Sequence, residues 1–216
     1  EPEEVDSLIY LCIPQERRDI PAFVEGVNAK RAWAEKSFKM FGGIAKMAYV
    51  GSKPVGLIQY QPKPEERLLE ITCIFVPDVQ NQRRGVGKAL LNALIKDAEK
   101  PKPYFDNMPP LALVTWAFSI PGYYPQNMFY LKMGFKKAVD SDPNLLYYPL
   151  KEGYIYQPKA GRFIPQAEDK GKVLIFYDPS CPFCMYFAEQ IKASIGEVAP
   201  NIPVRMINMF EEREEA

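Results

Sequence analysis

The chain contains no histidine. That removes Cys–His dyads, Ser–His–Asp triads and histidine-ligated metal sites from what a single copy can build. Net charge is absent too, with 27 basic and 27 acidic residues. A neutral chain without a basic stripe is a poor match for non-specific nucleic-acid binding. No apolar run reaches the length of a membrane span. The acidic start, EPEEVDSL, lacks the pattern of a signal peptide. Cysteine is scarce: four residues at uneven spacing, two of them in a CxxC. That usage suits a reduced, cytoplasmic protein better than a disulfide framework. The expectation is a protein with no nucleic-acid, membrane or metal partner.

Apolar residues are plentiful, 47% of 216, which supports one large domain or two small ones. Residues 68–100 carry the strongest local pattern. Leu69, Ile71, Cys73 and Phe75 alternate with Glu70, Thr72, Ile74 and Val76, the period of a strand, and Pro77 stops it. Val86, Leu90, Leu94 and Ala98 then recur at helical spacing until Lys100-Pro101. Between them lies Gln82-Arg83-Arg84-Gly85-Val86-Gly87. Backbone N–H groups at a helix start lack partners and carry the positive end of the helix dipole. Gly85 and Gly87 have no Cβ, so an anion can approach the main chain, and Arg83, Arg84 and Lys88 add charge. For GxG alone, an ordinary strand–loop–helix connection with solvated arginines is the favoured reading. GxxxxGK[ST] is absent, and GxGxxG fails because position 90 is Leu.

With its flanks, this stretch resembles the main motif of the GCN5-related N-acetyltransferase (GNAT) family, Gln/Arg-x-x-Gly-x-Gly/Ala between a bulged strand and a helix. The turn from Gln82 to Gly87 fits every defined position. The resemblance implies acetyl-CoA as cosubstrate. Its pyrophosphate would lie on Gln82, Arg83, Arg84, Gly85, Val86, Gly87 and Lys88, and its pantetheine arm against Ile74, Phe75 and Val76. A second likeness is Phe129-Tyr130-Leu131-Lys132-Met133-Gly134-Phe135, similar to the family's Phe-Tyr-x-x-x-Gly-Phe. It implies that Tyr130 protonates the leaving thiolate. Where the family often places Asn seven residues earlier, this chain has Tyr123.

Around these motifs the pattern predicts a strand over 5–13 and helices over 20–41. A hairpin follows over 44–50 and 55–61, then a doubly covered strand over 111–118. A last hairpin is expected over 136–139 and 145–150. The fold class expected is α/β with a mixed sheet, the GNAT acyl-CoA N-acyltransferase fold over 1–151. Residues 152–171 read as a linker or strap.

Residues 172–216 form a second module. A strand over 173–177, Cys181-Pro182-Phe183-Cys184, a helix with Phe183, Phe187, Ile191, Ile195 and Val198 on one face, and a strand over 202–210 make a βαβ unit. It resembles the opening half of thioredoxin-like proteins, with a glutaredoxin-like CxxC and a YoaP-like placement after the GNAT motifs. A helix start would favour the Cys181 thiolate, with Cys184 as its redox partner. Two vestigial thiols fit the same residues. So does a structural βαβ that mediates self-association, as in a homodimer.

The function expected is acyl-CoA-dependent acyl transfer, acetyl to a primary amine on a small molecule or peptide. The resemblance implies Glu70, early on the bulged strand where some family members place a glutamate, as the base, directly or through water; an exposed edge carboxylate is the plainer reading of it. The alternative is a CoA-binding scaffold or sensor whose CxxC module is redox-active.

Overall fold

The computed structural model describes residues 2–119, 121–159 and 163–211. Glu1 of the acidic start, residues 160–162 of the connecting stretch and 212–216 of the last module lie outside the described residues. In chain order come α1 (Pro2–Tyr10), α2 (Pro21–Phe41), β1 (Ala45–Val50), β2 (Lys53–Lys63), β3 (Leu68–Phe75) and α3 (Val86–Ala98). Then follow β4 (Ala112–Trp116), α4 (Gln126–Lys132), β5 (Lys136–Val139), β6 (Asp142–Pro149), β7 (Val173–Tyr177), α5 (Pro182–Val198) and β8 (Val204–Asn208). The chain divides into two compact units, residues 40–159 and residues 1–39 with 160–216. That division differs from the boundaries expected near 151 and 172.

The 40–159 unit is a six-stranded mixed sheet in the order β1-β2-β3-β4-β6-β5. Its first three strands form the antiparallel meander, and β3 and β4 are its parallel pair, with α3 on the connection. The alternation read in the sequence sorts the two faces as far as Ile71; past the register shift Ile74, expected opposite Leu69 and Ile71, joins them instead. Leu69 and Ile71 of β3 meet Leu90, Leu91 and Leu94 of α3, together with Leu113, Tyr130 and Phe135. Leu68 points the other way, to Ala112, Val114, Tyr147 and Tyr156. A fully buried Leu or Phe contributes about 1.5–3 kcal/mol, so the α3 face is the larger stabilising term. Tyr154 and Tyr156, expected in a strap, pack on the second face.

The second unit holds a correction. Residues 5–13, expected as a strand, lie largely in helix α1, with Leu8, Ile9 and Ile13 buried. Val5 and Ile9 lie one helical turn apart, and with Ile13 they join Phe23 and Val27 of α2. Phe183 and Tyr186 of α5 pack on the same cluster. The βαβ unit is present, with β7 and β8 paired in parallel as a two-stranded sheet. Among the described residues no further strand joins that pair. The face of α5 expected to be buried is not the one that is. Pro182 and Ala188 are buried, while Phe187, Ile191 and Val198 are exposed. Among the described residues, no helix is long and apolar enough to cross a membrane.

Candidate functional site

The site begins where two parallel strands part. β3 and β4 are hydrogen-bonded from Leu68–Ala112 to Ile71–Thr115 and no further, although β3 continues to Phe75. The partner register of β2 shifts at the same place, Gln59 facing Cys73 and Tyr60 facing Ile71, so Thr72 bulges. A bulge bends its strand and breaks the ladder locally. Side chains brace the fork. Thr115 Oγ1 donates to the Ile71 carbonyl at 3.0 Å, and Gln59 Nε2 donates to Thr72 Oγ1 at 3.0 Å. Beyond it, Gln126 Nε2 donates to the Ile74 carbonyl at 3.3 Å and Gln82 Nε2 to the Val76 carbonyl at 3.0 Å.

After β3 the chain makes a short 3-10 turn (Val79–Asn81) and enters α3 through two left-handed residues, Arg83 at φ 57° and Gly85 at φ 85°. Gly85 is the N-cap, and no side chain caps it. The first N–H groups of α3 are therefore free of intrahelical and side-chain cap partners. Arg83, Arg84 and Lys88 are exposed, and among the described residues none of the three is in an ion pair. A cleft of about 430 Å³ lies here. One wall is Ile74, Phe75 and Val76; a second is Asn81, Gln82, Arg83, Gly85, Val86, Gly87 and Lys88; the third is residues 122–126 with Phe129. Such an opening, positive at one end and apolar along a free strand edge, suits an anion carried on an extended arm.

The two glycines serve different ends. A side chain at Gly85 would meet no atom within 4 Å but would have to hold φ 85°. A Cβ at Gly87 would make only ordinary contact, 3.6 Å from Phe129. Neither position is glycine for want of space inside the protein. What both leave open is the approach to the main chain.

Of the residues singled out from sequence, nine line this cleft: Ile74, Phe75, Val76, Gln82, Arg83, Gly85, Val86, Gly87 and Lys88. Arg84 does not. Asn81, Tyr124 and Gln126 line it without a sequence signal that marked them, because they meet it only through the fold, and Phe129, which opens the second motif, lines it too. Tyr123 is there also, its ring 5.3 Å from Phe75.

Tyr130 is not on the wall. It is 0% exposed, set between Phe129 and Phe135 in the α3-side core. Burial pushes its hydroxyl well above the usual phenol range, the nearby Cys73 adds to this, and a hydrogen bond with Thr115 pulls the other way. Its neighbours therefore place the hydroxyl at the fork, between the last paired residue of β4 and the first residue of β3 past the bulge. Glu70 sits before the fork, paired with Lys63 at 3.2 Å. It shares a face with Leu68, and after burial and Glu66 it is the next cause that pushes the Tyr156 hydroxyl up, so it belongs to the side of the sheet away from α3.

Residues 10–105 match the model of the Acetyltransferase (GNAT) family. The match contains Glu70, the strand edge and the turn from Gln82 to Lys88; Tyr130 and the CxxC lie beyond it. No curated protein matches the chain. Among solved structures, aminoglycoside 6′-acetyltransferase type Ii is similar over 70% of this chain and 92% of its own, at 18% identity and a TM-score of 0.48. An N-acetyltransferase (PaiA) from Thermoplasma acidophilum, solved in complex with coenzyme A, is similar over 67% and 91%, at 17% and 0.45. GCN5 of Tetrahymena is similar over 72% and 91%, at 14% and 0.44.

Proposed function

We propose that this protein transfers an acetyl group from acetyl-CoA to a primary amine, by direct attack within a ternary complex. One observation carries the reading. The uncapped N-terminus of α3 opens into a cleft that runs on to the unpaired edge of β3. The match of residues 10–105 to the GNAT family supports it, since acyl-CoA is that family's donor. The diphosphate of the donor would rest on the first amides of α3, flanked by Arg83 and Lys88. The pantetheine arm would lie along Ile74, Phe75 and Val76.

At the fork the amine nitrogen attacks the thioester carbonyl, the C–S bond breaks, and the thiolate leaves. Main-chain N–H groups past the bulge would stabilise the oxyanion. Tyr130 would supply the proton that the thiolate takes. Burial keeps that hydroxyl protonated at neutral pH, while the same raised proton affinity makes it a weaker acid toward the thiolate. The amine must lose a proton as well. Glu70 is paired and on the far face, so the reading routes this proton through water to Glu70 or to solvent.

Isothermal calorimetry with acetyl-CoA and CoA, followed by thiol release with a panel of amines, tests the proposal. Expected are binding of both and release with at least one amine class. No binding at millimolar levels would sink it. A second reading, a CoA-binding module without turnover, is favoured by the Glu70–Lys63 pair and by the burial of Tyr130. Binding without thiol release from any amine would select it.

A further inference from the structure

Acetyl transfer as proposed makes no use of Cys181 and Cys184, two partly exposed thiols at the start of α5. Nor does it use Trp116, which is 54% exposed at the end of β4. A tryptophan left in water gives up much of the burial its ring could supply. This one is nevertheless held. Its Nε1 donates to Asp142 Oδ2 of β6 at 3.0 Å. Asp142 is itself fixed, since its Oδ1 accepts the Asn144 N–H at 2.9 Å. The indole is exposed and anchored at its one polar atom, so little ordering remains to be done when something binds to it.

Its place in the sheet is the fork. Thr115, the residue before it, is the last of β4 to pair with β3. Trp116 therefore stands at the first position where the two strands have parted. Side chains alternate along β4. Leu113 and Thr115 turn to the α3 side, Thr115 toward the Tyr130 hydroxyl. Val114 turns the other way, into the cluster of Leu68 and Tyr147, and Trp116 follows it. Leu145, its partner across β6, packs on that same cluster. Glu70 shares this face and lies beside Val114 in the parallel register. Trp116 stands two positions past Val114, about 7 Å along the strand. The fork thus carries different chemistry on its two faces. The cleft with the free amides of α3 is on one, and an aromatic ring, the Asp142 carboxylate and Glu70 are on the other.

The charge on this second face is negative near Trp116. Asp142 touches the ring, and the exposed Asp140 lies in the turn just before it. Two lysines lie on the same face, each two strands away from β4. Lys63 is paired with Glu70 at 3.2 Å, and Lys136 stands opposite Tyr147. An indole face beside a carboxylate attracts an organic cation, through the ring quadrupole and the full charge together. The same pair repels an anionic group and gives an uncharged one only contact.

We propose that Trp116 and Asp142 bind an organic cation, the second ammonium group of an aliphatic amine whose other nitrogen is the acetyl acceptor. The inference rests on the acetyl-transfer reading of the fork and names the class of acceptor for it. The reacting nitrogen must be neutral to attack, while the distal one, with a pKa of about 10 as in lysine, keeps its proton and lies over the indole. Gripping one end of the amine orients the other toward the thioester. The nitrogen–carbon bond forms, the C–S bond breaks, the attacking nitrogen loses one proton and the CoA thiolate takes one up. The product is an amide that keeps a single ammonium group.

The test uses the full chain and three four-carbon amines: putrescine, butylamine and γ-aminobutyrate, whose tails are cationic, neutral and anionic. Calorimetry on the CoA-saturated protein reads acceptor binding without turnover, and thiol release from acetyl-CoA reads KM and kcat. Expected is a KM for putrescine roughly fivefold below that for butylamine, the scale of one cation–π contact, with γ-aminobutyrate weakest. Trp116→Ala should bring the putrescine-to-butylamine ratio close to one through KM more than kcat, and Trp116→Phe, which keeps a π face, should restore part of it. Asp142→Asn, which removes the charge at nearly the same shape, should lower the ratio as well. A wild type that does not distinguish the three amines, or a ratio that Trp116→Ala and Asp142→Asn leave in place, overturns the inference while acetyl transfer stands. If no amine releases thiol, acetyl transfer falls first. Calorimetry then decides the cation site: putrescine binding that Trp116→Ala weakens upholds it, and its absence overturns it. If Trp116→Ala fails to fold, Trp116→Phe and Asp142→Asn carry the same comparison.

Discussion

At the scale of single residues, two glycines and one buried tyrosine carry the tests of the proposed chemistry. Gly87 has ordinary space for a small side chain and no left-handed torsion, so Gly87→Val should fold with an unchanged melting temperature. It should nonetheless lose acetyl-CoA binding in calorimetry, because its methyl groups would stand where the main chain must meet the diphosphate. Gly85→Val tests a different thing, since φ 85° strains any other residue and binding and stability would fall together. Tyr130→Phe separates chemistry from packing. The ring stays in its pocket and one buried hydrogen bond to Thr115 is lost, a cost of about 1 kcal/mol in urea unfolding. As the proton donor it should also lower kcat far more than it raises the KM for acetyl-CoA. Equal kcat values for the two proteins would leave Tyr130 a core residue only.

Elements matter through how closely they pack. Helix α3 rests on β2 at Gly56, where a Cβ would come within 3.0 Å of Val86 and 3.2 Å of both Leu90 and Val76. Gly56→Ala should therefore push the start of α3 away from the strand. The expected loss is about 1–3 kcal/mol by denaturant unfolding, with weaker acetyl-CoA binding because Val76 and Val86 line the cleft. The other end of α3 is tied electrostatically. Burial pushes the Asp97 carboxyl upward, but hydrogen bonds from Lys102 and Lys46, at 3.0 and 3.1 Å, outweigh it and hold the group below the usual carboxylate range. A folded value below the unfolded one means that this stability is present above about pH 4 and fades as pH falls through the folded value. Asp97→Asn should cost about 1–3 kcal/mol at neutral pH, and the gap to wild type should narrow at pH below about 4. Urea titrations at both pH values measure it.

On the scale of the whole molecule, two units share one chain, and the helices before the sheet belong with the module after it. Gly26→Ala should be felt across that unit. Its Cβ would meet the backbone of Pro182, which cannot rotate away. Hydrogen exchange should show lost protection in α1, α2 and α5, with β2, β3 and α3 little changed. Loss confined to α2 would mean that α2 and α5 do not form one packed body.

Much of the site was legible in the chain itself because it is local. A strand ended by Pro77, an uncapped glycine turn and a helix of 3.6-residue period are specified by neighbours along the backbone, and nine of the residues read from them line one cleft. Three things were not. Alternation and helical spacing overlap in a short apolar run, so 5–13 read as a strand until Phe23 and Val27 gave Val5 and Ile9 a surface to pack on. Tyr130 and Glu70 carry chemistry in their side chains, but burial and a lysine across the strand set what each can do, and both come from residues distant in sequence or facing sideways on the sheet. The CxxC announces itself in four letters. That Gly26 of α2 fits against Pro182 beside it, some hundred and fifty positions later, emerges only in the folded chain, because close packing depends on distance in space and not on order along the chain.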